Sequence, residues 1–207
     1  MMKKIKFEIL LLTIAAILMI ACGGEKKKEI SPTLDNQTPV ASKDLRDLAP
    51  DTTFDEVRPL VEIINDNAEF NTLNKLLRAS GVYEKVETAD DITIFAPINN
   101  AFSRLTDAKL AHLKTPQGME ETINILQYHI VKDEFDHATL ESAIEANRNA
   151  LRLKTLNGGY ISLSLIDGEM YITDENALQS KIVMPDEEAS NGVLHGIDGI
   201  LLPQQQQ

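Results

Sequence analysis

The chain has 207 residues, a single cysteine and a net charge of −12, from 20 basic and 32 acidic side chains. That acidity sets it against nucleic acid, whose phosphates would repel it, and one cysteine cannot form an internal disulfide. The length suffices for one domain with a proper core, so stability must come from apolar burial.

At the N-terminus Lys3, Lys4 and Lys6 precede an apolar run from Ile9 to Ile20, the pattern of a secretory signal. The run is short of the roughly 20 residues a spanning helix needs. Ala21 and Cys22 at its end resemble a bacterial lipobox, with Met19 where that motif usually has leucine. The resemblance implies cleavage after residue 21 and lipid on Cys22, and Gly23 in place of an aspartate implies the outer membrane. Residues 1–21 are then signal peptide, and their three lysines and one glutamate leave with it, taking the charge from −12 to −14. Residues 22–50 hold Lys26, Lys27 and Lys28, then Pro32, Pro39 and Pro50 among polar side chains. This is the composition of an extended tether, whose lysine run reads first as solvated and alternatively as a contact to anionic headgroups. Gln204 to Gln207 form a short polar tail.

Globular patterning begins at Phe54. Val57, Leu60, Val61 and Ile64 recur at helical spacing, with Asp55 and Glu56 near the helix start, where the dipole favours them. A second helix is predicted with Asn71 as cap, Leu73, Leu76 and Leu77 as its apolar face, and Gly81 as its left-handed end. Ile92 to Phe95 reads as a buried strand stopped by Pro97. Asn99 then stands where a helix cap belongs, before Ala101, Phe102 and Leu105. Leu110 and Leu113 continue a short helix, and Met119, Ile123, Leu126 and Ile130 make another helical stripe carrying Tyr128 and His129.

After Leu151 the period shifts to two. Leu151, Leu153 and Thr155 alternate with Arg152 and Lys154 before the turn Asn157-Gly158-Gly159, and a second alternating run follows from Tyr160 to Leu165. Asp167-Gly168 marks a tight hairpin before Met170 to Thr173. The last strands are predicted over Lys181 to Met184 and Val193 to Leu202, with Asp186, Glu187 and Glu188 as an acidic solvated loop between them. Helices followed by hairpin-rich strands make an α+β domain.

Three segments carry a family likeness. Thr93, Phe95, Ala96, Pro97, Asn99, Ala101 and Phe102 form the first, Tyr128 and His129 the second, and Asn191, Gly192, His195, Asp198, Gly199 and Pro203 the third. In order and spacing they resemble the fasciclin domain, an extracellular adhesion module, over residues 51–203. The resemblance implies a wedge of two twisted β-sheets, in effect a β-sandwich, flanked by several short helices. It further implies binding to matrix protein, cell-surface protein or glycan. Ile98 replaces the family's more usual threonine and Asn100 a commonly acidic residue, and no Arg-Gly-Asp occurs.

The same residues have structural roles open to them: Asn99 as a cap, Gly192 and Gly199 at turns, Asp198-Gly199 before the terminal strand, His129 and His195 satisfying backbone groups. Enzyme signatures are missing. The four histidines lack the spacing of a zinc site, the acidic run lacks the glycine-kinked alternation of a Ca²⁺ loop, and Ser190 with His195 has no nucleophile elbow. Neither phosphate-loop nor dinucleotide fingerprints occur. The sequence therefore leads to a non-catalytic, lipid-anchored envelope module without metal or cofactor, serving adhesion or, alternatively, capture of a polysaccharide or small ligand for a neighbouring envelope system.

Overall fold

A computed structural model describes residues 58–204. The expected signal peptide, Cys22 with its expected lipid, the expected tether, the helix-start residues Phe54 to Val57, and Gln205 to Gln207 lie outside the described residues. Residues 58–204 all fall within one structural unit.

Among the described residues six short α-helices and seven strands follow in order: α1 (Leu60–Asp66), α2 (Asn71–Ser80), α3 (Val82–Glu87), β1 (Ile92–Pro97), α4 (Asp107–Leu113), α5 (Met119–Tyr128), β2 (Ile130–Lys132), α6 (His137–Ala146), β3 (Leu151–Lys154), β4 (Tyr160–Ile166), β5 (Glu169–Thr173), β6 (Gln179–Ala189) and β7 (Gly192–Ile197). The first helix opens behind Pro59 and buries Leu60, Val61, Ile63 and Ile64. The second buries Leu73, Leu76 and Leu77, then ends at Gly81, whose φ of 71° needs no Cβ to be accommodated. Leu110 and Leu113 fall on α4 as expected.

The strands form one sheet in the order β2-β1-β7-β6-β5-β4-β3, not the two sheets expected from the resemblance. Its single parallel pair, β1 with β7, is central, and every other pairing is antiparallel. The two outer strands approach each other through a bridge between Val131 and Thr155 and a bond from the Leu156 N–H to the Ile130 carbonyl at 2.8 Å. The sheet is thus an α+β domain's nearly closed barrel.

What merges the two expected sheets is the length of β6. Sequence ended this strand at Met184 because Pro185 cannot donate to a ladder and the next three residues are acidic. Instead the strand runs on to Ala189, with register shifts on either side of Met184 and a positive φ of 58° at Asp186. Proline is tolerated at such a bulge, and the strand bends there to serve both halves of the sheet. Asp186, Glu187 and Glu188 belong to a strand rather than a loop.

Side chains alternate between two buried clusters. Ile92, Ile94, Ala96 and Leu194 face the layer of α1, α2, α3 and α5. Phe95, Ile197, Ile161, Leu163 and Ile172 fill the barrel interior, where Leu140 and Ile144 of α6 also pack. All residues of β1 and β7 are buried, as a parallel pair covered on both faces requires. The terminal strand stops at Ile197, short of the expected Leu202.

Candidate functional site

The three motif segments meet in the sheet. β1 carries the first, β2 follows the Tyr128-His129 pair, and β7 carries most of the third. Ile94 pairs with Ile130 on one side and Leu194 on the other, and Phe95 stands opposite His195. Residues separated by up to 100 positions in sequence thus share one strand triplet.

Asn191 and Asn99 act as long-range caps. The Asn191 Oδ1 accepts the Leu60 N–H at 2.9 Å, at the buried start of α1, while its Nδ2 donates to the carbonyls of Val86 and Ala89 at 2.9 and 3.0 Å. One buried amide therefore ties the start of α1 and the end of α3 to β7. Asn99 does not cap its own helical turn, whose cap Ile98 makes no side-chain bond. Its Oδ1 instead accepts the Thr72 N–H at 3.0 Å, and its Nδ2 donates to the Ala68 carbonyl at 2.7 Å. Asn71, expected as the cap of α2, is its first helical residue; Phe70 holds the cap position. Satisfying an orphan helical N–H is the usual task of a cap, done here from 27 residues away.

Gly192 has a φ of 151°, and a Cβ placed there would lie 2.0 Å from the Ile92 carbonyl oxygen. The close parallel approach of β1 and β7 thus requires glycine. Gly199 is confined similarly, with a Cβ falling 2.2 Å from Ser180 Oγ and 2.5 Å from Arg104 Nη1. Beside it Asp198 accepts the Lys181 N–H at 2.8 Å and pairs with Arg104 at 3.1 Å, while Arg104 also donates to the Gln179 carbonyl. Pro203 lies beyond, half-buried, in the C-terminal segment.

Both motif histidines are buried and fixed as neutral tautomers by backbone partners. The His129 Nδ1–H donates to the Ile125 carbonyl at 2.8 Å, closing α5, and its Nε2 accepts the Leu201 N–H at 3.0 Å. Burial pushes its pKa down to about 4, against the pull of the Ile125 carbonyl. The His195 Nε2–H donates to the Phe135 carbonyl at 2.7 Å and its Nδ1 accepts the Asp186 N–H at 3.2 Å. Its pKa too is lowered by burial, with the Phe135 carbonyl and Asp186 opposing. Both ring nitrogens being occupied, His195 is not free to activate Ser190, whose N–H donates to the Arg58 carbonyl.

Thr93 pins the same loop that His195 holds. Its hydroxyl donates to the Asp133 carbonyl at 2.8 Å and accepts the Phe135 N–H at 2.9 Å. Tyr128 is wholly buried, donating to the Tyr160 carbonyl at 2.7 Å and accepting the Glu175 N–H at 3.1 Å. Burial pushes its pKa up to about 12, against the opposing pull of the Glu175 N–H and with help from the Glu175 and Asp174 charges. Ala96, Ala101 and Phe102 are core, and Pro97 closes β1.

Sequence placed Met119 and Ile123 in the core, but α5 turns Thr122, Ile125, Leu126 and Tyr128 inward and leaves those two half-buried, while Ile130 belongs to β2. Ile123 lines an open groove of about 1520 Å³ between α4, α5, the β3–β4 turn, the β5–β6 turn and the C-terminal segment. Its walls carry the amides of Gln117, Asn124, Gln127, Asn157 and Asn176 together with Tyr160. Sequence reasoning missed this groove because its residues come from elements far apart in the chain. A smaller depression of about 340 Å³ is lined by Glu134, Asp136 and Glu188. Among the described residues no cluster of acidic, histidine or cysteine side chains has the arrangement of a metal site, and no helix is long and apolar enough to cross a membrane.

A model of the Fasciclin domain matches residues 68–203. Protein sll1483 of Synechocystis is 28% identical over 149 residues, covering 72% of this chain and 76% of the relative. Human stabilin-1 is 28% identical over 153 residues, 73% of this chain but only 6% of that protein, and human periostin is 26% identical over 146 residues, 70% of this chain and 16% of that one. In fold the chain is similar to a FAS1 domain pair from the insect cell adhesion molecule Fasciclin I, with a TM-score of 0.62 at 16% identity, over 73% of this chain and 52% of that structure.

Proposed function

The chain belongs to the Fasciclin domain family, and from that premise we propose that it is a non-catalytic adhesion module, held at the outer membrane by lipid on Cys22 and presented on the tether of residues 22–50. The observation that carries this reading is where the motif side chains are spent. Asn99, Asn191, Thr93, Tyr128, His129 and His195 all close hydrogen bonds inside the domain, so the family signature builds a scaffold and leaves recognition to the surface. Similarity to stabilin-1, periostin and an insect cell adhesion molecule supports a matrix or cell-surface partner. Many tethered copies would supply avidity without new contacts.

Solid-phase binding of the full chain to matrix-protein and glycan coatings tests the adhesive role: saturable retention on one coating is expected, and none on either counts against it. Replacing Cys22 by serine tests the anchor, which requires the protein to leave the membrane fraction. A second reading, capture of a polysaccharide or small ligand for a neighbouring envelope system, is favoured by the open amide-lined groove. A ligand-dependent rise in melting temperature without any attachment defect would select it.

A further inference from the structure

We propose that the groove beside α5 binds a neutral polysaccharide chain, with Tyr160 as stacking platform and the amides of Asn124, Gln127 and Asn176 as hydroxyl partners; this rests on the non-catalytic binding role above. Sugar hydroxyls both donate and accept, and a carboxamide is the side chain that offers both functions without charge. The groove gathers such amides from three directions: Asn124 and Gln127 from α5, Asn157 from the β3–β4 turn and Asn176 from the β5–β6 turn.

The asparagine amides are held in place rather than loose. Asn157 Nδ2 donates to Asn124 Oδ1 at 3.0 Å, and Asn176 Nδ2 donates to the Leu202 carbonyl at 2.7 Å. These bonds fix the Asn124 and Asn176 side chains while leaving Asn124 Nδ2 and Asn176 Oδ1 without partners among the described residues. Tyr160 is 37% exposed, and the Arg152 guanidinium lies 3.9 Å over one face of its ring, which leaves the opposite face for a sugar. An aromatic ring lining the same groove as bonded amides suits a sugar, whose apolar face stacks while its equatorial hydroxyls are bonded.

Charge selects against acidic polymers. Glu121 is paired with Lys109 and lies 3.7 Å from His112, and Glu175 accepts the N–H groups of Tyr160 and Gln204. With Glu120 also lining the groove, the wall is acidic enough to repel a polyanion, while its carboxylates are mostly engaged by the protein itself.

Calorimetric titration of the full chain with neutral hexasaccharides (cello-, malto- and chito-hexaose) tests this. Saturable binding of one of them is expected, weakened at least tenfold by Tyr160→Ala and by Asn124→Ala, and unchanged by Tyr171→Ala, which lies outside the groove. Tyr160→Ala keeps the backbone bonds to Tyr128 and Glu175, and Asn124 is an exposed helical residue; an unchanged melting temperature for Asn124→Ala separates lost binding from lost fold. No saturable binding of any hexasaccharide, binding indifferent to both variants, or binding only of oligogalacturonate or a lysine-rich peptide would overturn the assignment. Absence of hexasaccharide binding together with saturable attachment of the full chain to a matrix-protein coating would overturn the groove alone and leave the adhesive role standing.

Discussion

Phe95 and His195 stand opposite each other on β1 and β7, both fully buried, with ring centroids 5.7 Å apart and planes inclined by 23°. One comes from the first motif segment and one from the last. The imidazole spends its two nitrogens on the Phe135 carbonyl and the Asp186 N–H, so it ties the β6 bulge and the loop before α6 to the central strands. Such a histidine stabilises only while neutral, since a proton on Nδ1 would abolish its acceptor.

Acid should therefore weaken the fold through its histidines before general carboxylate protonation does. His129 has a pKa near 4 in the folded chain against 6.5 for an ordinary histidine. Between those values the unfolded chain binds a proton the folded one refuses, so this contribution is complete above about pH 6.5, falls as pH drops, and levels off near 4. The full loss is about 3 kcal/mol, and His195 shifts in the same direction. Urea midpoints at pH 7 and pH 4.5 should differ less for His129→Gln than for the parent chain; equal differences would show that His129 does not titrate this way.

Asn191→Ala removes three bonds at once, two of them buried, and strands the Leu60 N–H with two carbonyls. At roughly 1–3 kcal/mol per stranded group, partly relieved by water, a loss of about 3 kcal/mol is expected in denaturant unfolding. A loss under about 1 kcal/mol would mean that α1 is held by its apolar face alone.

A single methyl at Gly192 should be as damaging. The Cβ of Gly192→Ala falls on the Ile92 carbonyl oxygen, which belongs to backbone and cannot swing aside. Separating β1 from β7 costs on the order of 3 kcal/mol or more. Gly158→Ala, whose Cβ meets nothing within 4 Å although its φ is 94°, should cost only about 1 kcal/mol of backbone strain. Thermal unfolding of the two variants side by side distinguishes clash from strain.

Asn99→Ala should cost about 1–2 kcal/mol, the loss expected on removing a helix cap, and it should loosen α2 rather than the turn in which Asn99 sits. Amide exchange resolves this: faster exchange at Thr72 is expected, and unchanged exchange there would contradict the cross-chain cap.

Much of the architecture was legible where its determinants are local. Asp167-Gly168 sets a tight turn because both residues take positive φ, 53° and 79°, and Gly81 ended α2 for the same reason. What escaped was non-local or weakly patterned. α6 and α3 were not foreseen, since α6 buries only Leu140 and Ile144 and α3 only Val82 and Val86. The acidic run after Pro185 looked like a loop because charge and proline both disfavour strands, and only pairing with β7 overrides them. The partner of Asn99 could not be read from its neighbours, because the helix it caps lies earlier in the chain. The groove was illegible for a related reason: no single segment displays its chemistry.

The most direct test of the account is attachment of whole cells to matrix-coated and glycan-coated surfaces, comparing the full chain with one that lacks residues 54–203 but keeps residues 1–53. Domain-dependent attachment, lost with the deletion, is the expected result. Equal attachment by both strains, with the full chain present at normal level in the envelope, would contradict an adhesive role.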